Sequence, residues 1–312
     1  GLKILVSPVR ARVVPQALNE SRGLFCCINI LVSKRDLYLY PPKKSTMKKT
    51  VSLVITMLIC IMSFAQVAQP YYLMHDYRKV TGKDLKVMLE NEEHFWSKVG
   101  QLLVKEGKLT TWNMLERVGG PESEPNILFL IGIGSKQNMH DLNETFDYGA
   151  KKVMASMGKD EAVFVKRGLN IDANRVAMAM LNMANYESVE GKRNYVKMNY
   201  SKVSDVAKMN ELQTKVWGSF IKKSMASGAV NQKTWSTSSV VSPVGTGYDW
   251  NYVSADGYTN YEDVLDGGWA TPPTIPDLTE IGKLIGGTGA FHKSVTWKIL
   301  MSVNNKGEYT KH

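Results

Sequence analysis

The chain has 312 residues, a formal net charge of +10 and three cysteines. Its first 65 residues contain ten of the 39 Lys and Arg but two of the 29 Asp and Glu, so residues 66–312 hold 29 basic and 27 acidic side chains. This near-neutrality argues against a nucleic-acid partner, because nucleic-acid-binding domains are typically strongly basic. All three cysteines precede residue 66, which excludes disulfides, thiolate metal sites and cysteine nucleophiles from residues 66–312.

The stretch 47–65 has the three parts of a secretory signal peptide. Two lysines follow Met47, an apolar run covers residues 51–61, and Ser63-Phe64-Ala65 provides a small-x-small cleavage site, in the order that such signals have. A membrane anchor is the alternative, but spanning a bilayer takes about 20 apolar residues, and this run is shorter. We therefore expect cleavage near Ala65 and a periplasmic or secreted product of bacterial type, with no membrane association after cleavage.

Residues 1–46 show no sustained helical or strand period, and the chain starts with glycine rather than methionine. We interpret them as an upstream segment that is non-native or disordered. The fold is expected in residues 66–312, a length that can bury a large core without disulfides.

Residues 66–312 contain the same pattern twice. Tyr77-Arg-Lys-Val80 returns as Tyr200-Ser-Lys-Val203, 123 residues later. In each copy a tryptophan is followed eleven residues on by a glycine and then by a second tryptophan. These residues are Trp96, Gly107 and Trp112 in the first copy and Trp217, Gly228 and Trp235 in the second. The sequence therefore predicts two units, residues 66–190 and residues 191–312.

Each unit is predicted to begin with an aromatic-rich strand, followed by a helix whose apolar residues recur with a 3.6-residue period. A glycine closes that helix, because glycine adopts the left-handed conformation without a Cβ clash. A hairpin of two strands, a second helical region opened by Asn138 or Asn260, and a closing strand follow, with extra helix expected within 144–174. The predicted strands are 71–77, 108–118, 127–133 and 175–183 in the first unit and 195–200, 229–241, 250–255 and 294–303 in the second.

This order, β-α-β-β-α-β, is the ferredoxin-like pattern. With the paired segments 96–112 and 217–235, it resembles the dimeric α+β barrel group, which includes the antibiotic-biosynthesis monooxygenases and NIPSNAP-like proteins. The resemblance implies an α+β fold in which two tandem ferredoxin-like units pack sheet against sheet as an intrachain dimeric α+β barrel. Pairing within the chain allows a monomer with an internal pseudo-dimer, and a homodimer is the alternative.

Cofactor and metal motifs in the sequence are incomplete. The glycine-rich stretch 127–134 has Gln137 where a dinucleotide fingerprint needs its third glycine. The five histidines are scattered, so we expect no metal and no cofactor. His75 lies on the first predicted strand, on the same face as Leu73 and Tyr77. It is a candidate for a general base or a haem ligand, although such a residue is more often a hydrogen-bonded part of the structure.

Aromatic residues at matching places in the repeat are the ligand-binding candidates. Trp112 and Trp235 lie on hairpin strands whose inner face can line a cavity, and Tyr77 and Tyr200 are the repeated tyrosines. Packing is the alternative role, because a large ring buries much apolar area. Asn138 is a catalytic candidate, with helix capping as its alternative role.

Two functions stay open at this point. The first is an exported soluble protein that binds a small apolar or aromatic molecule in a cavity of the α+β barrel. The second, implied by the resemblance, is a cofactor-independent monooxygenase or a haem-modifying enzyme, with His75, Trp112, Asn138 and Trp235 as the candidate set. Those four side chains would have to point into one cavity, so their placement discriminates between the two functions.

Overall fold

The computed structural model describes residues 70–244, 249–286 and 291–312. The predicted signal peptide, 47–65, and the upstream segment, 1–46, lie outside the described residues, and both stay predictions. Within the described ranges, none of the helices has the length and apolar character that crossing a bilayer requires.

The first half of the described chain forms four antiparallel strands covered by helices. Its elements are β1 (Tyr71–Val80), α1 (Gly82–Asn91), the π-helical turn π1 (Glu92–Trp96), α2 (Ser97–Lys105), β2 (Thr111–Arg117), β3 (Ile127–Gly134), α3 (Lys136–Met139), α4 (Leu142–Ser156), α5 (Ala162–Gly168) and β4 (Ala173–Ser188). The strands carry apolar residues on both faces. Leu73 of β1 therefore packs inside the barrel, and its neighbour Met74 packs in the core beneath the helices. Helices α4 and α5 confirm the extra helix expected within 144–174.

The second half has the same order of elements with shorter helices after its hairpin. Its elements are β5 (Tyr195–Ser201), α6 (Val206–Leu212), the π-helical turn π2 (Gln213–Gly218), α7 (Ser219–Ser227), β6 (Thr234–Ser242), β7 (Tyr252–Tyr258), α8 (Tyr261–Asp266), α9 (Thr279–Leu284), β8 (Lys293–Val303) and β9 (Tyr309–Lys311). The predicted helix-closing glycines are confirmed, since Gly107 and Gly228 have φ angles of 70° and 73°.

The strands form one antiparallel sheet in the order β2-β3-β1-β4-β6-β7-β5-β8-β9, and an additional β2–β8 pairing closes the first eight into a barrel. The order β2-β3-β1-β4 of the first half corresponds, element by element, to β6-β7-β5-β8 of the second. The halves join at β4–β6 and β2–β8, so the fourth strand of each half pairs with the second strand of the other. The predicted α+β class is therefore confirmed, with a closed eight-stranded antiparallel barrel.

The barrel interior is packed with large side chains from both halves. The phenol oxygens of Tyr77 and Tyr200 lie 3.0 Å apart there, and Trp250 and Trp297 belong to the same buried cluster. Tyr77 and Tyr200 thus share one environment inside the barrel.

The layers between the barrel wall and the helices differ in the two halves. The first half has one continuous apolar core around Trp112, Phe129 and Leu103. The second half has two separate clusters, one containing Met209 and the other Trp235. The space between those two clusters is the candidate functional site.

Candidate functional site

A cavity of about 170 Å³ lies between the sheet and the helices of the second half. Its floor is formed by the helix-facing side chains of β5, β6 and β7, and its other walls are formed by α6, π2 and the segment around α9. The lining residues are Asn199, Ser201, Met209, Gln213, Trp217, Trp235, Tyr252, Ser254, Asp256, Leu278, Ile281, Gly282, Ile285 and Phe291.

Strand alternation explains which side chains reach the cavity. Along β7, Tyr252, Ser254 and Asp256 lie on the helix-facing side, while Val253 packs inside the barrel. Small polar residues therefore occupy the floor at positions where a packed core would have large apolar ones. Serine at position 254 leaves the space above the strand open.

A hydrogen-bonded network holds the carboxylate of Asp256 at the cavity floor. Asn199 Nδ2 donates to Asp256 Oδ2 over 2.9 Å, and Gln232 Nε2 donates to Asp256 Oδ1 over 2.9 Å. Ser294 Oγ in turn donates to Asn199 Oδ1 over 2.7 Å. Both groups that bond the carboxylate are neutral amides, and Lys197 is its cross-strand neighbour on β5.

This environment makes Asp256 a weaker acid than an ordinary aspartate. Burial raises the pKa of its carboxyl to about 6, although the hydrogen bonds from Asn199 and Gln232 and the charge of Lys197 act to lower it. The carboxylate is therefore ionised at neutral pH but lies close to its protonation equilibrium. A group with such a pKa can accept a proton from a ligand or return one.

Gln213 is the first residue of the π-helical turn and borders the cavity. Its side chain is 7% exposed. Its amide nitrogen donates to the Met209 sulfur over 3.7 Å, but its carbonyl oxygen has no hydrogen-bond partner among the described residues. A buried acceptor without a partner is unfavourable by about 1–3 kcal/mol, and π-helical turns are frequent at functional sites. Gln213 therefore marks this wall as a place where a ligand group can be bound.

Aromatic rings form most of the remaining surface. Trp235 is fully buried on β6, and Tyr252 Oη donates to Asn210 Oδ1 over 2.8 Å, which fixes its ring. Trp217 reaches the cavity from π2, and Phe291 lies at its exposed side. The cavity is thus mainly apolar with a small polar floor.

Three of the residues predicted as site residues lie inside the barrel instead. His75 Nδ1 is 3.1 Å from Tyr77 Oη, and Tyr77 in turn contacts Tyr200. Burial lowers the pKa of His75 to about 4, so this histidine is neutral at physiological pH. His75, Tyr77 and Tyr200 occupy the opposite face of the sheet from the cavity, where they form a hydrogen-bonded part of the barrel core.

The other three predicted residues are spread over both halves. Trp112 packs in the continuous core of the first half. Asn138 lies in α3, whose N-cap position is occupied by Ser135, and its amide donates to the carbonyls of Gly107 and Ile133. Trp235 alone among the predicted residues borders the cavity. A single catalytic set of His75, Trp112, Asn138 and Trp235 therefore does not fit the geometry.

Asp256, Asn199 and Gln213 are not among the site residues predicted from the sequence. A comparison of matching strands in the two halves could have found Asp256, because Asp256 and Ser254 on β7 stand where β3 of the first half has Ile131 and Phe129. Two polar residues on the face of a strand that is covered by an apolar helix face are the signal of an incomplete core.

The cavity does not suit a haem iron. Haem is held by His, Cys, Met or Tyr ligands, and the described lining contains no His or Cys. Tyr252 is engaged by Asn210, and the Met209 sulfur accepts from Gln213. The described residues also contain no group of three or more His, Cys, Asp or Glu that could hold a metal ion.

No protein-family model matches the chain, and no curated protein matches it. Solved structures match it over most of their length. An anthrone oxidase-like protein has 10% sequence identity and a TM-score of 0.46, with 78% of this chain and 95% of the other chain covered. A monooxygenase candidate from Lactobacillus acidophilus NCFM has 13% identity and a TM-score of 0.43, with 78% and 96% covered.

A heme-binding protein from Thermus thermophilus has 11% identity and a TM-score of 0.39, with 74% of this chain and 92% of the other chain covered. The activities in these names belong to those proteins. Similarity at this level carries no argument about the function of this chain.

Proposed function

We propose that the protein binds a small, ring-sized apolar or aromatic molecule in the cavity of the second half. The observation that carries this proposal is the composition of the cavity lining, in which Trp217, Trp235 and Tyr252 accompany a single carboxylate, that of Asp256. Ligand sites are typically concave and mostly apolar, with a few placed polar groups that orient the ligand.

The size of the cavity supports a ligand of about one ring. Its volume is about 170 Å³, and an apolar protein cavity of about 150 Å³ is known to bind benzene. Larger ligands would have to extend past Phe291, which is 43% exposed at the cavity entrance.

Thermal unfolding in the presence of toluene or phenol tests this proposal. A ligand that binds the folded state alone raises the free energy of unfolding, by about 2.7 kcal/mol at 100 times its dissociation constant. We expect a concentration-dependent rise in Tm with at least one of these ring compounds. An unchanged Tm with every ring compound of this size would contradict the proposal.

The second candidate function is cofactor-independent oxygenation, and the carboxyl of Asp256 favours it. A carboxylate with a pKa of about 6 can remove a proton from a bound phenol, which gives an electron-rich anion that reacts with O₂. Phenol and O₂ balance to benzoquinone and water, so no external reductant is needed. Asp256 would hold the proton during the reaction, and the aromatic walls would exclude water.

Oxygen uptake with phenols as substrates distinguishes binding from oxygenation. We expect the Asp256→Asn variant to lose any uptake shown by the wild-type protein, because the amide cannot accept the proton. Ligand binding without oxygen uptake would leave the binding function standing and remove the oxygenase.

We also propose that the two halves are tandem ferredoxin-like units derived from one ancestral unit, in a mature chain exported after cleavage near Ala65. The shared strand order and the joined tyrosines Tyr77 and Tyr200 support the duplication. N-terminal sequencing of the exported protein is expected to start at Gln66, and retention of Met47 would contradict export by cleavage. Because the barrel closes within one chain, light scattering is expected to give the mass of a monomer rather than a homodimer.

A further inference from the structure

The polar groups that border the cavity differ in how much hydrogen-bonding capacity they have left. Asn199 uses its amide nitrogen on Asp256 and its carbonyl oxygen on Ser294. Tyr252 uses its hydroxyl on Asn210. These two side chains have little capacity left for a ligand.

The remaining capacity is mainly that of acceptors. Asp256 receives one hydrogen bond at each carboxylate oxygen, and a carboxylate has about four acceptor sites. The carbonyl oxygen of Gln213 accepts none from the described residues. Ser201 and Ser254 have hydroxyl groups, which adapt as donors or acceptors.

From these contacts we infer that the cavity selects ring compounds whose polar end is a hydrogen-bond donor, a phenol or an aryl amine, with Asp256 and Gln213 as the accepting groups. The inference rests on the proposed binding function and adds the ligand class and the residues that select it. Carboxylates and other anionic ring compounds are disfavoured by the Asp256 charge, and the described lining contains no Lys or Arg to pair with them.

Gln213 can join the recognition without a change in the backbone. The last side-chain torsion of glutamine is broad, so its amide can turn the carbonyl oxygen toward a ligand donor. This rotation exchanges a weak contact with the Met209 sulfur for a hydrogen bond with the ligand. Binding a donor therefore removes the cost of the unpaired acceptor, whereas an ether or a hydrocarbon leaves it in place.

The experiment compares phenol, anisole and benzoate, which share one ring and differ at the polar end. Dissociation constants for the full mature chain are measured by ligand-observed NMR at neutral pH. We expect phenol to bind at least about tenfold more tightly than anisole, because one hydrogen bond to a charged group accounts for a difference of that size. We expect no measurable binding of benzoate.

Two variants test the assigned residues. Gln213→Met keeps the size of the side chain and removes the acceptor, and Asp256→Asn replaces an acceptor-only group by an amide. Each is expected to reduce the preference for phenol over anisole severalfold. Gln213→Met is also expected to unfold at a Tm no lower than the wild type, because it removes a buried unpaired oxygen. Glu92→Gln, at the corresponding place in the first half, is the matched control and should leave the preference unchanged.

The outcomes distinguish a failure of the donor preference from a failure of ring binding itself. If anisole binds as tightly as phenol, or if neither variant changes the preference, the inference about donors is wrong while ring binding stands. If phenol and anisole both fail to bind the wild-type chain and toluene causes no Tm shift, both are wrong. If Gln213→Met does not fold, Asp256→Asn alone decides the result.

Discussion

The two halves of the barrel share one strand order but fill the space beneath their helices differently. In the first half Asp76 of β1 pairs with Phe129, and in the second half Asn199 of β5 pairs with Ser254. Phe129 is buried in a continuous core, whereas Ser254 lies on the floor of a cavity. The smaller side chain at this matching register position leaves space above β7 that Phe129 fills above β3. The barrel can therefore carry a packed half and a ligand-sized space without a change in topology.

The helices above the sheet share a π-helical turn in the two halves but differ in the polar residue at which it begins. A π-helical turn begins at Glu92 in the first half and at Gln213 in the second. Burial raises the pKa of Glu92 to about 8, with the Arg78 charge lowering it and the Asp76 charge raising it. Glu92 is therefore protonated at neutral pH, and its neutral carboxyl resembles the amide of Gln213. Both halves thus have the π-helical turn, but Glu92 lies beside a packed core whereas Gln213 borders the cavity.

The largest effect is expected from truncating the packed half. Phe129→Ala should reduce the free energy of unfolding by about 3–5 kcal/mol, because it leaves a void in a close-packed core. Ser254→Ala, at the matching position, should change it by less than about 1 kcal/mol. Chemical denaturation measures both, and equal losses would contradict the difference in packing between the halves.

The pH dependence of stability tests the contrast at the π-helical turns. The folded chain keeps the Glu92 proton up to about pH 8, while the unfolded chain releases it near the ordinary value of 4.5. Because the folded state then binds the extra proton, stability falls as pH rises between those values, by up to about 1.4 kcal/mol per pH unit.

The Glu92→Gln variant lacks this proton, so its stability relative to the wild type should increase from about pH 5 to about pH 8. Urea denaturation at three pH values in this range measures the difference. Glu262→Gln, at an exposed position of α8, is the control and should show no such trend. A constant difference between Glu92→Gln and the wild type would mean that Glu92 titrates near its ordinary pKa.

Filling the cavity should remove ligand binding from the second half and leave it packed like the first. Ser254→Leu places an apolar side chain where Phe129 stands in the other half, so the Tm shift caused by ring compounds should disappear. The stability of the free protein should change by no more than about 1–3 kcal/mol. Ser254→Ala is the matched control and should keep the shift. A ligand-induced shift that survives in Ser254→Leu would place the binding site elsewhere.

The smallest effect is expected at the glycines that end a helix in each half. Gly107→Ala and Gly228→Ala should each cost about 1–2 kcal/mol, because both residues have positive φ angles and no neighbouring atom adds a clash. Gly82→Ala, in α1 and also free of close neighbours, should be neutral or stabilising. Unequal costs for Gly107 and Gly228, measured by denaturation, would show that the two helix ends are not equivalent.

Much of the fold was accessible from the sequence because its signals are local. Aromatic-rich and strand-like runs bounded by turn residues located the strands, and the glycines Gly107 and Gly228 located the helix ends. The site was less accessible. Trp235 was identified by its repeated spacing, but Trp112 has the same spacing and lies in a filled core. Spacing alone does not distinguish a cavity wall from a packed layer.

The sequence by itself determined the two matching sets of elements, because periodicity and turn residues act over a few neighbours. It also determined which face of β1 carries His75 and Tyr77, since side chains alternate along a strand. The tertiary structure alone decided that this face closes into the barrel interior and that Asp256, Gln213 and Trp235 meet around one cavity. Those residues are far apart in the chain, and their approach depends on how strands and helices pack rather than on any local preference.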